Sequence, residues 1–173
     1  MTPVHSSNVD DTTRPGLDRS AFTEAMSRFA SGVTIVTTVD PDGVAHGFTA
    51  SSFCSVSLDP PLVLVCLARS ANSYAAFAGC DRFSVSVLRA DQADLALRFA
   101  RRGTDKFSNG RFVTGTGGVA AVDGALALLE CTSDRTFDAG DHVILLGRVH
   151  HARVDEGSPA IYFNRTFRTL VDR

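Results

Sequence analysis

The chain of 173 residues has no tryptophan, a single lysine and no large excess of charge of either sign. Its formal net charge is −2, and its arginines are scattered rather than clustered. Binding to a nucleic-acid backbone needs a basic patch or stripe, so no nucleic-acid partner is expected. A hydrophobic content of 44% with a mean hydropathy of +0.06 excludes a disordered chain and predicts no membrane partner. One globular domain is therefore expected.

Cysteine pairs with C-x-x-C spacing are also absent. Three of the four cysteines lie in or beside apolar runs, as buried thiols do. The N-terminal residues contain no apolar segment of the kind found in secretory signals. We therefore predict a flexible tail over residues 1–19, one domain over residues 20–173 and a reducing, cytoplasmic setting.

Strands dominate the predicted secondary structure, and they follow one another as hairpins. Residues 33–39 alternate in polarity before Asp40-Pro41-Asp42-Gly43, a turn sequence that leads into a strand from Val44. Further strands are predicted over residues 62–68, with burial on both faces, and over residues 83–87, 125–132 and 142–149. This pattern favours a mainly β fold, a closed or nearly closed antiparallel barrel with peripheral helices, over a parallel α/β sheet.

Three helices are predicted at the periphery of this barrel. The first begins at a Ser20 cap, has apolar residues at helical spacing and ends at Gly32. A short helix covers residues 70–77. The third runs from an Asp91 cap to Gly103.

Three patterns linked to particular chemistries lack the context that they need. Residues 115–120 match G-x-G-x-x-A, but a turn sequence interrupts the helix that should follow, so we predict a loop. No serine lies in a G-x-S-x-G elbow, and neighbouring strand residues point to opposite faces, so Asp141 is not expected to orient His142 in a serine-hydrolase triad. The histidines and cysteines lack the paired spacing of a metal site, so no metal is expected.

Two segments allow more than one interpretation. Residues 47–57 carry small hydroxyl side chains where a strand usually carries bulky ones. This pattern suits a flat ligand close to the backbone, and it equally suits an edge strand with polar decoration. Residues 69–73 open a predicted helix whose free N–H groups suit a phosphate, although ordinary capping by Ser70 explains the same residues.

Several short motifs follow one another along the chain in a specific order. They are RFASGVT at 28–34, DGVAHGFTASSF at 42–53, SVSLDPPL at 55–62, FA at 99–100, DKF at 105–107, GDH at 140–142, glycine at 147 and PAIYF at 159–163. In this order and at these spacings, roughly residues 20–170 resemble the flavin reductase-like family. Its members are the small reductase components of two-component flavin-dependent monooxygenases.

The resemblance implies a split β-barrel of the FMN-binding type, a homodimer with the flavin near the subunit interface. The implied cofactor-binding residues are Thr49, Ala50, Ser51, Ser52, Ser55, Val56 and Ser57 at the ring and ribityl chain, Ser70, Asn72, Ser73 and Lys106 at the flavin phosphate, and His142 and Tyr162 beside the nicotinamide. His142 is the candidate catalytic residue. Hydride transfer needs no general base at nicotinamide C4, so its expected role is a hydrogen-bonding or stacking wall.

The activity that the resemblance implies is reduction of free FAD or FMN, by hydride transfer from NADH or NADPH to flavin N5. The implied partner is a flavin-dependent monooxygenase that takes up the diffusible reduced flavin. Two alternatives remain open: a non-catalytic flavin- or haem-binding module of similar shape, and an oxidase related to pyridoxamine phosphate oxidases. A binding module needs no nicotinamide pocket, so His142 and Tyr162 favour the reductase.

Overall fold

The computed structural model describes residues 16–103, 105–108 and 110–170, which form one mainly β domain, as predicted. The helices are α1 (Arg19–Ser27), α2 (Tyr74–Ala78) and α3 (Ala93–Ala100), and a 3₁₀ turn covers Ala90–Gln92. The strands are β1 (Ser31–Gly32), β2 (Thr34–Val39), β3 (Ala45–Ala50), β4 (Cys54–Leu58), β5 (Pro61–Ala68), β6 (Arg82–Val87), β7 (Phe112–Thr114), β8 (Ala120–Val122), β9 (Ala127–Ala139), β10 (His142–Val154), β11 (Ile161–Phe163) and β12 (Thr166–Arg168). Residues 1–15 of the predicted tail and 171–173 of the predicted domain lie outside the described residues, so that division stays a prediction.

Seven strands form one antiparallel sheet in the order β3-β2-β6-β9-β10-β5-β4. Side chains from β3, at one edge, and from β5, next to the other edge, pack into the same apolar cluster. The sheet therefore curls round a shared interior. Within the described residues the two edge strands, β3 and β4, are not hydrogen-bonded to each other, so the barrel is not closed.

The two predicted hairpins are confirmed. β2 pairs with β3, and the Asp40 carboxylate accepts the amides of Asp42 and Val44 across the turn. β9 pairs with β10 in the same antiparallel manner. Gly43 and Gly140 occupy these turns with φ of +81° and +63°, a region that glycine enters without steric penalty.

Large apolar side chains fill the interior of the curled sheet. Phe83 of β6, Leu145 of β10 and Phe77 of α2 are each 1% exposed. The Phe77 ring meets the Phe48 ring edge to face, with 5.0 Å between their centroids. A second cluster, which includes Phe99 of α3, covers the opposite face of β2. α3 is thereby held against the sheet close to the end of β3.

The predicted burial of β5 on both faces is wrong. Val63, Val65 and Leu67 point into the core and are almost fully buried, whereas the residues between them are only partly buried. Strand side chains alternate between two faces, and only one face of β5 meets the core. On the other face Cys66 and Ala68 line a cavity.

The N-cap of α1 lies two residues earlier than predicted, and the helix begins at Arg19. The Asp18 carboxylate accepts the Ser20 amide at 3.1 Å, so Asp18 rather than Ser20 caps the helix. The helix also ends before Gly32, which belongs to β1. None of its side chains is buried, and Phe22 and Met26 are more than half exposed. The apolar face of α1 is therefore left uncovered.

The other two helices also differ from the prediction at their starts. α2 begins at Tyr74 rather than Ser70, so residues 69–73 form a turn and the helix has only five residues. α3 is preceded by the 3₁₀ turn, in which Asp91 forms an ion pair with Arg89 at 3.0 Å rather than capping the helix. A helix as short as α2 has little macrodipole, so the predicted anion site cannot rest on its N-terminus.

The segment with the dinucleotide-like pattern, residues 115–120, forms the turn between β7 and β8. A strand rather than a helix follows it, which confirms the predicted loop. Glu130 of β9 is 4% exposed and accepts the Thr116 amide at 2.8 Å as well as the Thr116 hydroxyl proton. Burial raises the pKa of Glu130, but the bonds from Thr116 and the charges of His151 and His150 outweigh burial and hold that pKa below its ordinary value.

Candidate functional site

Most of the predicted site residues surround one cavity of about 410 Å3. It lies where the ends of β3 and β5, the start of β10 and the segment after α3 meet. The predicted residues that line it are Thr49, Ala50, Ser51, Ser52, Ser70, Asn72, Lys106 and His142. These residues are up to 93 positions apart in the chain, and the curled sheet brings them together.

Two arginines that the sequence analysis did not assign to the site, Arg101 and Arg102, also line the cavity. Together with Lys106 they form a group of three cations, and no carboxylate is among the lining residues. Arg102 donates from Nη2 to the Ser70 hydroxyl at 3.1 Å, and its remaining donors have no partner in the described part of the chain. Two consecutive arginines after a helix look like helix-end charges, so only the fold shows that they face a cavity.

Lys106 is held by a backbone contact rather than by an acid. Its Nζ donates to the Gly47 carbonyl at 2.8 Å and lies 5.9 Å from the centroid of the Phe99 ring. Partial burial lowers the pKa of Lys106 because desolvation disfavours the ammonium. An ammonium has three donors, so two remain for an anion in the cavity.

Two of the predicted hydroxyls are already engaged with the protein. Thr49 donates its proton to the Ala96 carbonyl of α3, and the Ser52 hydroxyl bonds to the backbone of Cys66. By contrast, the amides of Ser51 and Ser52 have no acceptor among the described residues. The donors that this segment offers to a ligand are therefore its backbone N–H groups rather than its side chains.

His142, the first residue of β10, lines the cavity. Its Nδ1 is 2.7 Å from Oδ1 of Asp141. This hydrogen bond is the main reason why the pKa of Asp141 is lower than its ordinary value. The two neighbouring side chains can form this bond because Asp141 belongs to the turn rather than to the strand. The bond does not make a serine-hydrolase triad, since no serine hydroxyl is bonded to His142 among the described residues. With Nδ1 bonded to the carboxylate, Nε2 is left available to a ligand.

Five predicted residues lie away from this cavity. Ser55, Val56 and Ser57 belong to β4, at the edge of the sheet, and β4 contributes nothing to the cavity wall. Tyr162 belongs to β11 of a separate small sheet, where its ring packs against Phe167 with 5.5 Å between centroids. Ser73 lines a neighbouring cavity of about 300 Å3.

The neighbouring cavity shares two lining residues, Asn72 and Lys106, with the first. The two cavities therefore adjoin each other. Ser73 is 4% exposed, and its hydroxyl has no hydrogen-bond partner in the described residues. A larger cavity of about 590 Å3 shares only Asn72 with the candidate site. Its wall mixes Asp40 and Asp81 with Arg82, so it has no surplus of cations for an anionic ligand.

No cluster of metal-binding side chains is found in the described ranges of the chain. Among the same residues, no helix is long and apolar enough to cross a membrane.

The fold and the cavity define a class: a mainly β protein whose curled antiparallel sheet carries a cation-lined cavity beside free backbone amides. The family model described as the flavin reductase like domain matches residues 26–171, and the chain belongs to this family.

Several curated proteins and solved structures are similar to this chain. The actinorhodin polyketide dimerase of Streptomyces coelicolor is 53% identical over 154 residues, which cover 88% of this chain and 87% of that protein. The NADH:riboflavin 5'-phosphate oxidoreductase of Streptomyces pristinaespiralis is 40% identical over 164 residues, 93% of each protein. The solved structure of the Streptomyces globisporus NADH:FAD oxidoreductase, in complex with NAD and FAD fragments, has a TM-score of 0.84 at 36% identity and covers 89% of this chain and 93% of that chain.

Proposed function

We propose that this protein reduces free FAD or FMN with NADH or NADPH and releases the reduced flavin to a flavin-dependent monooxygenase. The observation that carries the proposal is the cavity at the end of β3, where three cations without a lining carboxylate lie beside unpaired backbone amides. The names of two relatives and one solved structure, each an NADH-dependent flavin enzyme or its complex, support the activity. Other relatives are named as reductase components of flavin-dependent monooxygenases, which supports the partner.

The cationic group is the proposed site of the flavin phosphate. Lys106 and Arg102 have donors to spare, and Arg102 holds the Ser70 hydroxyl in place beside them. Asn72 lines the same wall. Because no carboxylate lines the cavity, a phosphate with a charge near −2 would be the counter-ion of these cations. Each cation could then donate a charge-assisted hydrogen bond to it.

The segment of residues 49–52 is the proposed platform for the flavin ring. Its small side chains let the ring approach the backbone, and the amides of Ser51 and Ser52 face no competing acceptor. His142 lines the same cavity, is hydrogen-bonded to Asp141 and is the proposed wall for the nicotinamide. When both nucleotides are bound, the nicotinamide supplies the hydride and the flavin accepts it at N5, so no protein group needs to move a proton from C4.

An assay of NADH and NADPH oxidation with FAD, with FMN and without flavin tests this proposal. Oxidation that depends on added flavin over many turnovers is the expected result. A protein that binds flavin but oxidises neither nucleotide is the non-catalytic module instead. Oxidation of pyridoxamine phosphate without a nicotinamide nucleotide would point to the oxidase alternative.

We further propose that the protein is a homodimer with a split barrel in each subunit. The uncovered apolar face of α1, with Phe22 and Met26 more than half exposed, supports a partner surface. Tyr162 and the β4 residues 55–57 do not line their own chain's cavity, and we propose that in the dimer they face the flavin bound by the second subunit. Light scattering on the purified protein tests the dimer, and a monomer at micromolar concentration would contradict it.

The proposed compartment is the cytoplasm. All four cysteines are unpaired, which suits a reducing setting, and Cys131 is buried with its pKa raised to about 12 by desolvation. We propose that the N-terminal tail, predicted over residues 1–19, is flexible as far as the start of α1, which includes Arg19 and is capped by Asp18. The proposal rests on the polar, aperiodic sequence of this segment. Limited proteolysis followed by mass spectrometry tests it, because cleavage should be confined to that segment.

A further inference from the structure

Ser52 lies in the connection between β3 and β4, just before the first paired residue of β4. The register of β4 with β5 predicts that the strand pairing continues to Ser52, but it does not. β4 and β5 pair in an antiparallel register that places Cys54 opposite Leu64. Antiparallel partners run in opposite directions, so the same register places Ser52 opposite Cys66. The ladder nevertheless ends at Cys54, and Ser52 lies outside the strand.

The Ser52 hydroxyl makes both hydrogen bonds that this position of the ladder requires. Its oxygen accepts the Cys66 amide at 3.0 Å and donates its proton to the Cys66 carbonyl at 3.3 Å. In a regular antiparallel pair, the N–H and C=O of one residue make these same two bonds. The side chain of Ser52 therefore occupies the place that its own backbone would take.

This substitution leaves the Ser52 amide without an acceptor. Both groups of Cys66 that face this edge are already bonded to the hydroxyl, so the amide cannot turn back to β5. No other described residue accepts it. Ser52 and Cys66 both line the cavity at the end of β3, so the free amide lies at the cavity wall.

We propose that Ser52 is a positioning residue whose hydroxyl caps the ladder at Cys66 and so keeps the Ser52 amide free to donate to the bound flavin ring. This inference rests on the proposed function. In this inference the side chain of Ser52 bonds to the protein, at Cys66, and its backbone amide bonds to the ligand. Charge on the ring edge grows when the flavin is reduced, so a fixed N–H donor there stabilises the reduced form more than the oxidised form.

Ser52→Ala removes the hydroxyl and leaves both Cys66 groups open. The backbone at position 52 then extends the ladder to Cys66, and its amide is lost to the ligand. Flavin affinity is expected to fall about tenfold, the effect of one lost hydrogen bond to a polar ring edge. Flavin reduction in a single turnover at saturating flavin is expected to slow as well. Ser52→Thr keeps the hydroxyl and should retain wild-type binding.

The matched control is Ser86→Ala. The Ser86 hydroxyl also accepts a backbone amide, that of Val122 at 3.0 Å, but it lies in the core at 0% exposure and lines no part of the cavity. Its removal should lower thermal stability at least as much as Ser52→Ala does. Flavin affinity of the folded control should stay within twofold of wild type.

Hydrogen exchange of the amide at position 52, measured by NMR on the whole protein, gives a readout independent of activity. In the wild type this amide should exchange fast without flavin and slowly with FMN. In Ser52→Ala it should be slow in both states because it is bonded to Cys66. Slow exchange in the ligand-free wild type, or equal flavin affinity in wild type and Ser52→Ala, would overturn the inference while leaving the reductase proposal intact. Failure of the wild type to bind FAD or FMN would overturn both.

Discussion

The core of the curled sheet and the rim of the cavity, by which we mean the lining residues Arg102 and Lys106, both contain polar side chains. The two regions differ in how many of these polar groups have a hydrogen-bond partner. In the core, Thr34, Thr38 and Ser86 are almost fully buried, and each has a hydrogen-bond partner. At the rim, Lys106 and Arg102 keep most of their donors unused. Buried polar groups are paired because an unpaired one is costly, so surplus donors in one place mark a surface built for a ligand. The comparison predicts that changes in the core alter stability and that changes at the rim alter binding.

The largest effect is expected from Phe83→Ala in the core. Phe83 is 1% exposed and fills the interior beside Gly147, where a Cβ would lie 2.3 Å from the Phe83 ring. The free energy of unfolding should fall by about 3–5 kcal/mol, measured by denaturant titration. Val154→Ala, at a position 78% exposed, should change it by less than about 0.5 kcal/mol. Equal losses in the two variants would contradict the packing described above.

Lys106→Ala at the rim should raise the flavin KM by roughly ten- to hundredfold, or about 1.5–3 kcal/mol, with little change in kcat. A phosphate contact is present in both ground and transition states, so its loss affects KM. Thermal stability should change little, because the variant loses the bond to the Gly47 carbonyl but also removes a charge that partial burial disfavours. Arg28→Ala is the control, because Arg28 is an exposed cation paired with Glu24. An unchanged flavin KM would remove Lys106 from the site.

Glu130→Gln should reduce the free energy of unfolding by about 1–3 kcal/mol, because the Thr116 donors lose a charged acceptor. The pKa of Glu130 is lowered in the folded protein, so its contribution is present above the pKa of the unfolded chain and is lost as pH falls through the folded value. The stabilities of wild type and variant should therefore converge as pH falls below the ordinary glutamate pKa of about 4.3 and through the lowered pKa of the folded protein. A constant difference between them down to pH 2 would contradict the assignment.

His142→Ala should raise the NAD(P)H KM by roughly two- to tenfold or slow single-turnover flavin reduction by a similar factor, as expected for one neutral contact. Flavin affinity and thermal stability should stay near wild type. Asp141→Asn should have the same direction and a smaller size, because only the orientation of the imidazole is lost. A variant that unfolds, or that loses both ligands together, would place His142 in the core instead.

The smallest effect is a pH dependence of flavin binding. Burial lowers the pKa of Lys106, so its positive charge disappears at a lower pH than that of a free lysine, about 10.4. The flavin KM should be constant near neutral pH and rise as pH increases through the lowered value. Lys106→Arg should remove this rise, because a guanidinium stays charged. A rise that persists in that variant would assign the titration to another group.

Six of the twelve strands in the described residues, β2, β3, β5, β6, β9 and β10, were predictable, because alternation along the chain and Asp-Gly or Gly-Asp turn sequences act locally. The short strands β1, β7, β8, β11 and β12 were not predicted, and β9 and β10 extend beyond their predicted ends at residues 132 and 149. The start of α2 was not predictable in the same way. Ser70 looks like a cap, but residues 69–73 form a turn. The site was partly predictable. The resemblance implied Lys106 and His142 as site residues, but the sequence indicated only that Arg101 and Arg102 lie at the end of a helix.

By itself the sequence determined a mainly β hairpin fold, a segment rich in small hydroxyl residues at 47–57 and a family, since these depend on local patterns and ordered motifs. Only the tertiary structure decided which residues share the cavity. β4 and Tyr162 do not line the cavity, although their family motifs are as clear as those of the residues that do. It also decided that the Ser52 hydroxyl bonds to Cys66 rather than facing a ligand. The physical reason is that burial and hydrogen-bond partners depend on which strands become neighbours, and no local pattern encodes the neighbour across a curled sheet.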